Sequence, residues 1–234
     1  MPAMTASATV TSPSQLRLMP FGPARARDVR DPIWEPLWAG RRALTHVHRG
    51  RVTFRDEDDE TLEGYDRLRE SILELTQADE LVLDGYLLPA PLRSTAGAES
   101  PAGMESLMTP VEVLRQMILG NRRSKRREEM LVEQARRVSL PSASPTAFIA
   151  VDLLWLDGVP IVDVPLLERK RLLESVLLEG EIVRRTVAVR PPVEQWYTQW
   201  RALGFSALAV KGVNSRYTPG RPNGQWATTL IPRR

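Results

Sequence analysis

AFIAVDLLWLDG, residues 147–158, is the stretch from which the fold can be worked out. Its first ten residues are almost wholly apolar and read as a strand, and Asp157-Gly158 supplies the turn that ends it. Moving towards the N-terminus, residues 81–83 are a second, short apolar strand, with Asp84-Gly85 read as its end. Before it, residues 61–76 carry Leu62, Tyr65, Leu68, Ile72 and Leu75 at helical spacing. Residues 42–48 and 51–55 are strand-like around Arg49-Gly50, the signature of a two-residue hairpin turn, and the acidic run 56–60 follows as a solvated turn.

On the C-terminal side, residues 165–178 read as a helix, 182–189 as a strand, 192–203 as a helix and 206–211 as a last strand. A segment rich in Gly and Pro then runs to Trp226. Residues 89–109 are a loop by composition, and Thr109, Pro110 and Glu112 look like the start of a helical stretch over 110–138, interrupted at Gly120-Asn121. Residues 1–15 are expected to be a disordered tail, and 16–34 an irregular lead-in. Hairpins and helices without regular βαβ alternation predict an α+β fold.

Composition narrows the chemistry. An apolar fraction of 42% in 234 residues is enough for a real core. The chain has no cysteine, which excludes disulfides, thiolate metal sites and cysteine nucleophiles. The cations are almost all arginine, and Lys125, Lys170 and Lys211 are the only lysines, so a lysine nucleophile has three candidates. No apolar run approaches the roughly 20 residues of a membrane helix. Residues 1–15 lack the basic start and apolar stretch of a signal peptide, so a cytoplasmic protein is expected, with no membrane partner.

Four segments, in order, resemble the adenylation domain of ATP-dependent DNA ligases, especially the compact bacterial kind. EPLWAGRRAL at 35–44 is similar to the family's Glu-Pro-Lys-Trp/Tyr-Asp-Gly-x-Arg. VLDGYL at 82–87 is similar to Leu-Asp-Gly-Glu-Leu/Ile, and VDLLWLDG at 151–158 to Phe-Asp-Leu-Leu-Trp-Leu-Asp-Gly. GFSALAVKGVNSRYTPGRPNGQWATTL at 204–230 is similar to Glu-Gly-Val-Val-x-Lys, then Ser-x-Tyr-x-Pro-Gly, then Trp-Leu-Lys-x-Lys. The resemblance implies a ligase-type nucleotidyltransferase (ATP-grasp-like) domain over residues 16–234, with antiparallel sheets, flanking helices and a basic helical insert near 110–138. No OB-fold domain is expected within this chain.

The departures from the family pattern carry the functional reading. The family's nucleophile is a lysine that takes AMP from ATP; here that position is Leu37, which has no lone pair to attack with. The nearby aspartate is Ala39, and the glutamate of the second segment is Tyr86. The aromatic that stacks on the base is Val151, and the metal-side glutamate is Ser206, followed by Ala207 in place of glycine. The two late phosphate-gripping lysines are Thr228 and Leu230. Phosphoryl transfer rests on charges placed around phosphates and metal. No catalytic residue is therefore expected, and neither is a cofactor, although the family uses ATP and Mg²⁺.

Glu35, Leu37, Arg42 and Lys211 are the candidates for a residual nucleotide pocket; Lys211 and Arg42 could equally persist for packing. Arg122, Arg123, Lys125, Arg126 and Arg127 form a candidate nucleic-acid patch, or else a solvated bend partly neutralised by Glu128 and Glu129. His46 and His48 share a strand face, but without a third ligand they read as solvated, and no metal site is expected. Trp196 and Trp200, spaced i, i+4, read as a core-facing stripe rather than a base-stacking platform. The expectation is a catalytically inactive ligase-like protein with an accessory or DNA-binding role in DNA repair, its partners DNA or repair proteins. The alternatives are a nucleotidyltransferase with a rearranged site and a sensor that binds nucleotide without reacting.

Overall fold

Arg49 and Gly50 both adopt positive φ, +49° and +72°, the geometry that folds β2 (Arg41–His48) back on β3 (Arg51–Arg55). The computed structural model describes residues 10–89 and 146–232. The helical stretch expected over 110–138 and the loop before it lie outside them. Among the described residues the hairpin belongs to a seven-stranded sheet. Its order is β4 (Thr61–Leu62), β3, β2, β5 (Glu80–Pro89), β6 (Thr146–Leu156) and β7 (Val159–Pro160). β8 (Val183–Arg185) pairs with β6 in parallel; the other pairs are antiparallel. A second, antiparallel sheet holds β1 (Pro32–Pro36), β9 (Ala207–Gly212) and β10 (Trp226–Leu230), with β9 in the middle.

Among the described residues three helices flank the sheets: α1 (Asp66–Leu75), α2 (Leu166–Val176) and α3 (Glu194–Ala202). Leu68 and Ile72 of α1, with Leu173 and Val176 of α2, cover one face of the large sheet against Val47, Phe54, Leu83 and Phe148. The other face packs towards the small sheet. There Leu44, Val82, Leu154 and Trp155 meet Ile33, Trp226, Tyr217 and the entering segment Leu16, Leu18 and Met19. β5 and β6 are thus covered on both faces, which is why their sequences run apolar without alternation.

Several boundaries differ from the sequence reading. Asp84-Gly85 does not end β5; the strand runs on to Pro89. Gly85 is there because the ring of Phe148 lies against it: a Cβ would come within 2.3 Å of that ring. Thr61–Leu62 pair with β3 instead of opening the helix, which starts at Asp66. The strand expected over 182–189 is confined to Val183–Arg185, and β1 and β10 emerge where no strand was read. Pro13–Gln15, expected to lie in a structureless tail, form a 3-10 turn closed by a capping box between Ser12 and Gln15. No described helix is long and apolar enough to cross a membrane.

Candidate functional site

Pairing register places one face of the small sheet towards the large one. That face carries Ile33 and Glu35 from β1, Ala207, Ala209 and Lys211 from β9, and Trp226, Thr228 and Leu230 from β10. Leu37 continues it, donating its backbone N–H to the Ala207 carbonyl at 3.0 Å. Leu37 is buried and packs with Ala207, Ala209, Phe21 and Leu230. Three of the positions that the resemblance marks as departures, Leu37, Ala207 and Leu230, therefore meet in one apolar cluster. Two more, Tyr86 and Val151, meet in another with Leu88, Ile149 and Trp38. Ser206 is exposed, and its carbonyl accepts the N–H of Ile231.

The charged groups that remain are tied to one another. Glu35 is 1% exposed and lies between two lysines: Lys211 Nζ donates to Oε2 at 2.8 Å, and Lys170 Nζ stands 2.5 Å from Oε1. Lys170 also donates to the Val151 carbonyl at 2.9 Å, and Lys211 lies 4.2 Å from the centre of the Trp226 ring. Burial pushes the Glu35 carboxyl up, but Lys170 and Lys211 outweigh it and hold the group below its usual range. Burial likewise lowers Lys170 from the usual lysine value, against the pull of Glu35.

Arg42 grips Asp84 with both arms of its fork, Nε to Oδ1 at 2.9 Å and Nη2 to Oδ2 at 2.5 Å. Its Nη1 donates to the Met19 carbonyl at 2.8 Å. Tyr217 donates to the same carboxylate at 3.0 Å and accepts from the Met19 N–H at 2.8 Å. Arg169, fully buried, pairs with Asp152 in the same forked way. Among the described residues around the cleft, four buried cations thus face three buried carboxylates, each already in contact with a partner.

The sequence-based pocket is brought together only in part. Glu35 and Lys211 are bonded, Leu37 lies two residues along the same face, and Arg42 serves a separate network on the large sheet. Lys170 was missed as the second partner of Glu35. The signal was available, since it is one of only three lysines in the chain and lies between Leu166 and Leu173, beside Arg169, on the face that the helix buries. Arg122, Arg123, Lys125, Arg126 and Arg127 lie outside the described residues. Trp200 is buried and stacks on Trp196 with ring centres 5.9 Å apart, beside Phe205 and Leu208.

ATP with Mg²⁺ is what the resemblance implies, and the described residues do not fit it. A triphosphate needs uncompensated cations and a metal needs free carboxylates. The inter-sheet face of the small sheet offers Leu37, Ala207, Ala209, Thr228 and Leu230, and its one carboxylate is held by two lysines.

Comparison with known proteins is consistent with this architecture. The family model for the ATP dependent DNA ligase domain matches residues 108–228. A DNA ligase 1 of Methanosarcina mazei is 24% identical over 199 residues, 82% of this chain and 31% of that protein. A probable DNA ligase of Streptomyces coelicolor is 32% identical over 88 residues, 36% of this chain and 17% of that protein. The chain thus spans under a third of the length of the curated relatives it matches. Among solved structures, the ligase domain from M. tuberculosis LigD superposes with a TM-score of 0.59 at 23% identity, covering 94% of this chain and 60% of that one. The mycobacterial DNA ligase D complexed with ATP and MES gives 0.58 at 22%, covering 93% and 60%.

Proposed function

Because the chain belongs to the ATP-dependent DNA ligase domain family, we propose that it keeps the ligase fold without ligase chemistry and acts as an accessory, DNA-binding protein in DNA repair. The observation that carries this reading is the packing of Leu37. The position of the family's nucleophilic lysine is an apolar side chain, 4% exposed, within a cluster that includes two other replaced positions, Ala207 and Leu230. A covalent AMP carrier cannot be built on leucine. The lost charges extend the argument to binding: a triphosphate entering here would give up water without meeting counter-charges. Residual nucleotide binding through Glu35, Arg42 and Lys211 is disfavoured for the same reason, since all three are bonded to protein groups.

DNA is the partner proposed by family membership, and a cytoplasmic setting goes with it. The contact surface we assign to it is the basic run Arg122, Arg123, Lys125, Arg126 and Arg127, five cations within six residues. The test is fluorescence anisotropy with duplex DNA of arbitrary sequence across a salt series. Binding that weakens steeply with salt, and is lost when the cluster is replaced by Ser and Gln, supports the reading. No binding at low salt, or unchanged binding by the cluster variant, refutes the DNA role.

A further inference from the structure

His46 and His48 on β2 and Glu80 on β5 converge on one point of the large sheet, away from the nucleotide-cleft positions. We propose that these three side chains form a binding site for a divalent transition-metal ion, with Zn²⁺ the best match. His48 stands directly across the ladder from Glu80, and His46 is two residues along on the same face. Glu80 Oε1 lies 3.2 Å from His46 Nε2 and 3.1 Å from His48 Nδ1, and all three ligand atoms fall within 4.8 Å of one another. Zinc–ligand bonds of about 2.0–2.1 Å in a tetrahedron set ligand atoms about 3.3 Å apart, so two of the three edges are already in place. The two histidine rings lie 5.8 Å apart at an interplanar angle of 29°, and the half-exposed His48 ring has room to rotate the third edge inward.

Two further observations favour an ion over a plain hydrogen-bond network. His48 Nδ1 is a buried atom that makes no hydrogen bond despite its closeness to Glu80, so its lone pair is left for a metal ion. The second oxygen of Glu80 is held by Trp155, whose indole N–H donates to Oε2 at 2.7 Å. The backbone of Glu80 is fixed as well, donating its N–H to Asp157 at 2.9 Å and accepting that residue's N–H at 2.8 Å. A ligating carboxylate oriented by an outer hydrogen bond is how metal sites are built. Two imidazoles and a carboxylate select zinc, nickel, cobalt or copper over magnesium and calcium, which take all-oxygen sets. Three protein ligands leave a fourth position to water or a further group. The nearby charge of Arg55 is paired with Asp59. Such an ion would pin β2 to β5 at the end of the sheet far from Arg42 and Asp84.

The chain's composition makes the test clean, because His46 and His48 are its only histidines and it has no cysteine. The tag-free protein is titrated with Zn²⁺ while the two imidazoles are followed by NMR and heat by calorimetry. Both imidazoles should shift together and saturate at one equivalent, in the presence of excess Mg²⁺. His48→Gln and Glu80→Gln should each weaken binding more than tenfold, and Trp155→Phe by roughly 10–100-fold as the loss of an outer-shell partner. Imidazole signals that stay in place on addition of Zn²⁺ overturn the proposal in the wild type alone. Unchanged affinity in a His46→Gln/His48→Gln variant overturns it too.

Discussion

Replacing Leu37 with lysine restores the residue type that the family uses, and the structure says what this will cost. The new ammonium would replace a side chain that is 4% exposed among Ala207, Ala209, Phe21 and Leu230. The carboxylate on the same face, Glu35, is already shared by Lys170 and Lys211. A lysine buried without a partner has its pKa lowered by about 3–5 units. The unfolded chain holds its proton to about pH 10.4, so folding at pH 7 must strip it or bury it charged, at about 4 kcal/mol. The sign follows from proton counts: the unfolded state binds more protons, so the variant regains stability as pH rises. The penalty should fall to about 2 kcal/mol at pH 9. Urea unfolding of wild type and Leu37→Lys at both pH values measures this, with Leu37→Met, expected to cost under about 1.5 kcal/mol, as the volume control. Incubation of the lysine variant with ATP and Mg²⁺ should leave its intact mass unchanged. A penalty below about 1 kcal/mol, one that does not shrink with pH, or an AMP adduct would each overturn this expectation.

Glu35→Gln leaves Lys170 and Lys211 buried without their carboxylate and should cost about 3–5 kcal/mol by denaturant midpoint. Since the folded-state pKa of Glu35 lies below its ordinary 4.5, its contribution is present above that value and is lost as pH falls through the lowered one; the variant's acid limb should be correspondingly flatter. Gly85→Ala drives a Cβ to 2.3 Å from the Phe148 ring and 2.6 Å from the Ile149 carbonyl, and should destabilise by about 1–3 kcal/mol, read as a shift in urea midpoint. Calorimetry with ATP and Mg²⁺ should show no binding in the micromolar range; a micromolar dissociation constant would favour the sensor reading instead. On duplex DNA the log–log salt slope should be about −0.9 per phosphate contact, and the cluster variant should flatten it equally for all sequences.

Where the sequence carried a period or a turn pair, the fold could be read from it. Arg49-Gly50 and the strand ending at Leu156 are plain in the residues because positive φ and apolar runs leave local marks. Asp84-Gly85 misled because the same dipeptide that marks a turn also serves a strand where a partner ring needs room and an arginine needs a carboxylate. β1 and β10 went unread because their partners are distant: Glu35 pairs with Ala209, and Trp226 with Lys211. Site geometry is harder still. Leu37 and Leu230 stand 193 positions apart in the chain, and no local pattern says that they touch. Glu80 supplied the third ligand atom to His46 and His48 only once the register of β2 and β5 was known.

That the position held by Leu37 carries no nucleotidyl transfer is the core of the proposed function. Its most direct test is incubation of the wild-type chain with ATP labelled on the α-phosphate, with Mg²⁺ or Mn²⁺, followed by a denaturing gel. No label should stay with the protein. Label retained through denaturation would mean that another residue carries the nucleotide and would overturn the proposal.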